Sequence, residues 1–133
     1  MSFKEEVNDA ILQVTSITAL IQQSRPIRPG AKFDEEIEKK KQDKIAEARK
    51  NLQAGFSPER IESLLELSQK SMPMEVDEII HKLERMEFLL EDVRKGKDRK
   101  NNLKSLIDSF KTTPLLQNAL LAIPSLLKIA NEP

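Results

Sequence analysis

Val76, Ile79, Leu83, Met86, Leu90 and Val93 follow one another in steps of three and four, between Pro73 and Gly96. On a strand this spacing would scatter the six side chains over both faces, whereas on a helix it gathers them into one stripe. The segment is therefore expected to be a helix of about six turns, opened by its proline and stopped by its glycine. A second stripe lies at the start of the chain. Ser2 and Glu5 have capping-box spacing, and Phe3, Val7, Ala10, Val14, Ile17 and Ile21 then form a coiled-coil-like heptad seam, widened by Ile11 and Leu20, which predicts a helix over 3–23. Strand formers are scarce: there is no Trp or Tyr and only five Phe in 133 residues. The class is all-α.

The remaining segments read as shorter helices. Ser24 to Phe33 holds two prolines and a glycine and is expected to be a linker. A helix should follow Asp34 and run to about Ala54, with Gly55 as a left-handed cap and a thin stripe of Ile37, Ile45, Ala48 and Leu52. Ser57 and Pro58 open the next, which presents Ile61, Leu64, Leu65 and Leu67. After Asp98 come Leu103, Leu106, Ile107 and Phe110. Thr113 and Pro114 start a last apolar helix, which Pro124 should kink or divide. The length, with 38% apolar and 33% charged residues, suits one domain. The expectation is a single-domain helical bundle of five to six helices over 1–133, without a sheet, with residues 24–33 linking the first helix to the rest.

Chemistry is sparsely represented. Without cysteine there is no thiolate nucleophile, disulfide or cysteine-based metal site, which fits a reducing, cytoplasmic location. His81 is the single histidine, and with Glu78 it has the Glu-x-x-His spacing of di-iron helices. A dinuclear site of that kind needs a second pair, and Glu78 and His81 fall opposite the apolar stripe, so they are expected at the surface. No glycine-rich phosphate loop or nucleophile elbow is present. An enzyme, a cofactor and a small-molecule substrate are not expected. Residues 10–24 and 112–127 carry no charge, but both are shorter than the roughly 20 residues a spanning helix needs. No membrane helix is expected, and Lys4, Glu5, Glu6 and Asp9 interrupt any secretory core.

The uncharged segments point to burial on more than one face. They pack centrally, or they offer an apolar face to another chain. The first functional expectation is accordingly a protein-interaction module, self-associating as a homo-oligomer or acting as a subunit of a larger assembly. Its candidate partner residues are Val7, Val14, Ile17 and Ile21 on the first helix and Leu115, Leu116 and Leu120 on the last. The alternative is a nucleic-acid-binding regulator. Residues 44–68 resemble the first two helices of a helix-turn-helix, with Ala48 at the small position, Gly55 at the turn, Ser57 at the cap and Ile61 buried, although Glu62 and Glu66 depart from the pattern. Charge is also uneven, although 22 bases and 22 acids cancel. Arg94, Lys95, Lys97, Arg99, Lys100 and Lys104 form a basic knob, while Glu75 to Asp92 holds seven acids against two bases. Phosphate or an acidic partner would suit the knob, but no interleaved aromatic suggests base stacking.

Overall fold

The structure, a computed structural model, describes residues 2–26 and 34–131. Seven α-helices account for most of them: α1 (Phe3–Gln23), α2 (Glu35–Leu52), α3 (Pro58–Lys70), α4 (Pro73–Arg94), α5 (Lys100–Asp108), α6 (Pro114–Leu121) and α7 (Pro124–Asn131), with a 3-10 turn at Ser109–Thr112. The described residues contain no strand. The expected five to six helices become seven because Pro124 divides the last segment. It lacks the N–H that would continue the α6 ladder and instead occupies the first position of α7. Most of the expected linker, residues 27–33, lies outside the described residues.

Local signals account for the helix starts. Ser2 and Ser57 accept hydrogen bonds from the backbone N–H groups of Glu5 and Arg60, and Asp34 accepts from those of Glu36 and Ile37. At the end of α4, Gly96 adopts φ +94°, its N–H donates to the Val93 carbonyl, and the N–H of Lys97 donates to that of Asp92. This paired closure needs a left-handed residue, a conformation glycine adopts without steric cost. Gly55 does not take the left-handed form expected of it. The Leu52 carbonyl accepts from both Gly55 and Phe56 N–H groups, so the chain leaves α2 through right-handed turns and delivers Phe56 into the core at 5% exposure.

α1 is the central element, packed on α2, α3, α4 and α7. Arg94 donates to Asn8 at 3.3 Å and Thr15 to Glu87 at 2.6 Å, so α1 and α4 run antiparallel. Surrounded this way, α1 buries Val14, Ser16, Ile17, Thr18, Leu20 and Ile21, where a charge would be desolvated, while Leu12 and Thr15 stay exposed. Its buried hydroxyls are satisfied locally: Ser16 donates to the Leu12 carbonyl and Thr18 to that of Val14. Against α7, Lys128 lies 2.6 Å from Glu6 and Ser125 donates to Asp9 at 2.8 Å. Val76, Leu83, Met86 and Leu90 of α4 join Val7, Val14, Ile17 and Ile21 in one apolar core. α2 contributes only Ile45, Ala48 and Leu52, and Ile37, expected on the same face, is 62% exposed.

One carboxylate sits in the α1–α4 seam. Burial, assisted by neighbouring Glu84, pushes the half-buried Glu87 carboxyl up from its ordinary value, against hydrogen bonds from Thr15 and Thr18 that favour ionisation. The folded chain therefore holds this proton to higher pH than the unfolded one, so stability falls as pH rises from the ordinary carboxylate range through the raised value. Glu87→Gln, which can still accept from Thr15, should remove that loss. Its stability relative to wild type should rise between acid and neutral pH in parallel urea titrations; a constant difference would contradict the reading.

Candidate functional site

The six buried members of the sequence-derived partner surface are occupied inside the chain. Val7, Val14, Ile17, Ile21, Leu116 and Leu120 are all 0% exposed, and only Leu115, at 36%, reaches the surface. A helix that is apolar on several faces was covered by its own neighbours, so an interaction surface must be sought among other residues.

The large exposed apolar side chains include Met72 and Met74, at 67% and 82% exposure, where α3 hands over to α4. Beside them opens a cleft of about 530 Å³ between the end of α3, the first half of α4 and the start of α6. Its apolar floor is Leu67, Ile79 and Phe110, and Glu75 and Glu78 stand on its α4 wall with Leu115 opposite. Met72 follows Ser71, and Met74 precedes Glu75 and stands one helical turn before Glu78, so the two methionines adjoin residues that line the cleft without lining it themselves. Lys82 also borders the cleft, but its ammonium is committed within the chain. It pairs with Glu78 at 3.6 Å, donates to the Ser109 carbonyl at 3.3 Å and stands 5.3 Å from the centre of the Phe110 ring. Glu75 and Glu78 thus outnumber Lys82 in the cleft, while Asp77 of the same helix is paired with Arg25 at 2.7 Å.

Met72 occupies the N-cap position of α4 with extended backbone dihedrals and no side-chain cap hydrogen bond. A serine or aspartate there would satisfy an orphan N–H and stabilise the helix by about 1 kcal/mol. The sequence pattern did not single out these methionines. The available signal was the Met-Pro-Met start of α4, where a capping residue is normally found.

The basic knob lies at the other end of α4. Lys97, Arg99 and Lys100, with Asp98 between them, rim a recess of about 410 Å³ whose apolar lining includes Val93, Ile129 and Phe3, the last 51% exposed. Half of the knob is neutralised internally. The Asp92 carboxylate, 8% exposed, accepts from Arg99 at 3.1 Å and lies 3.8 Å from the Lys97 ammonium, while Arg94 pairs with Glu91. Lys95, Lys100 and Lys104 form no ion pair with another described residue. Over residues 91–104 there remain six bases against three acids.

The helix-turn-helix resemblance falls on α2 and α3. The exposed side of α3 carries Glu59, Glu62 and Glu66, and Glu62 pairs with Arg49. Glu78 and His81 are exposed, and no group of three or more metal-binding side chains occurs among the described residues. Removal of the His81 ring should therefore change stability by no more than about 0.5 kcal/mol. Thermal unfolding of His81→Ala checks this, and a loss several times larger would place the ring in a contact the fold depends on. No helix among the described residues is long and apolar enough to cross a membrane. No family model, curated protein or solved structure matches the chain.

Proposed function

We propose that the chain is a one-domain helical bundle that acts as a non-enzymatic, intracellular protein-interaction module. It binds a basic surface bearing an apolar anchor, in the cleft between α3, α4 and α6. The observation that carries this reading is the exposure of Met72 and Met74 beside an acidic, apolar-floored cleft. Methionine is flexible and polarisable, which lets it mould to a partner, and exposed methionines recur on protein-binding surfaces. The Glu75 carboxylate, which forms no ion pair with another described residue, selects a partner of positive charge and speeds its encounter. A duplex nucleic acid is less well served, because the outward carboxylates of α3 would face phosphate.

Methionine methyl NMR tests the reading with a synthetic amphipathic peptide of lysine and leucine as probe. The Met72 and Met74 methyl signals should shift on titration, while Met86, which is 0% exposed, stays still. Met72→Ser should raise thermal stability by supplying the missing cap and weaken peptide binding at the same time. Titration without shifts at either methionine, or binding unchanged in Met72→Ser with Met74→Ser, would overturn it.

A further inference from the structure

We propose that the occupant of the cleft is the basic recess of a second copy of this chain, so that copies associate head to tail. The inference rests on the reading of the cleft given above and names its partner. The two surfaces stand at opposite ends of α4, whose 22 residues span about 33 Å, so one chain cannot bring its own recess to its own cleft. They match in charge. The cleft is lined by Glu75 and Glu78 against Lys82 alone, the recess by Lys97, Arg99 and Lys100 against Asp98, and the whole chain is neutral. They also match in apolar character, since Phe3 lines the recess and the exposed methionines adjoin, in sequence, Ser71 and Glu75 of the cleft, and sulfur against an aromatic edge is a favourable contact.

One pair is placed to set the register. Glu75 lines the cleft and Lys100 lines the recess, and neither forms an ion pair with another described residue. Each is an uncompensated charge on its own surface, and across the interface each would supply what the other lacks. With the recess given to one neighbour and the cleft to another, the contact is heterologous. Copies would add into a ring or a filament and would not stop at a two-fold dimer.

Light scattering on the full chain, between 10 and 500 µM at low and high salt, tests the proposal. At low salt the mean mass should grow with concentration past twice 15.2 kDa, and it should fall back towards the monomer in 0.5 M salt, where the Debye length is only a few ångströms. Glu75→Lys and Lys100→Glu should each weaken assembly at least tenfold while leaving the helical circular dichroism unchanged. Glu75→Lys combined with Lys100→Glu in one chain should restore assembly, because the pair is then merely reversed. A wild-type monomer at 500 µM in low salt, a plateau at the dimer, or a double variant no better than the single ones would overturn head-to-tail docking. If such a monomer still binds the lysine–leucine peptide through Met72 and Met74, the cleft's general role survives; if it does not, both readings fail.

Discussion

Val14→Asp should abolish the folded state. Val14 is 0% exposed in the middle of α1, the helix on which α2, α3, α4 and α7 pack, and no described basic side chain pairs with a group at that position. An unpaired carboxylate there costs several kcal/mol of desolvation, in addition to the lost apolar contacts, against a total stability of about 5–15 kcal/mol for a domain. The loss should be smaller in mild acid, where the new carboxyl can enter the core neutral. Leu12→Asp provides the control on the same helix: Leu12 is 46% exposed, so the same charge stays hydrated and stability should change little. Circular dichroism and particle mass measured together decide the matter. A helical, monomeric Val14→Asp with an unchanged melting temperature would remove α1 from the centre of the fold.

Phe110→Ala should be nearly as damaging. The ring, 1% exposed, is the largest side chain in the 3-10 turn joining α5 to α6, and it floors the cleft. Truncating a buried phenylalanine costs about 3–5 kcal/mol, because the apolar transfer is lost and a cavity is left behind. For a chain of this length that corresponds to a fall in melting temperature of more than about 10 °C. The Lys82 ammonium, 5.3 Å from the ring centre, would lose its aromatic face as well. Phe110→Leu, which retains much of the volume, should recover more than half of the loss. A cost below about 1 kcal/mol for the alanine variant would mean that this turn is not anchored by its aromatic residue.

The consequences of these two substitutions differ in how far they could be read from the chain. Phe110 stands in step with Leu103, Leu106 and Ile107, so its burial follows from spacing within one segment. Val14 is buried by either arrangement open to a heptad seam, an intramolecular neighbour or a second chain, and the spacing is identical in both. The basic knob was visible as composition, but the partial neutralisation of Arg94, Lys97 and Arg99 depends on Glu91 and Asp92 reaching them at the end of α4.

The sequence by itself determined the helices and most of their ends. Ser2, Asp34 and Ser57 cap groups two or three residues away, Pro58, Pro73, Pro114 and Pro124 open helices at their own positions, and these signals act within one turn. Only the tertiary structure decided which apolar residues the chain keeps for itself. Val14 and Met74 are both apolar residues on helices, yet one is 0% and the other 82% exposed. The physical reason is that burial is a property of contacts between segments distant in sequence. α1 is enclosed because α2, α4 and α7 converge on it, whereas the described chain leaves the Met74 side chain, near the start of α4, uncovered.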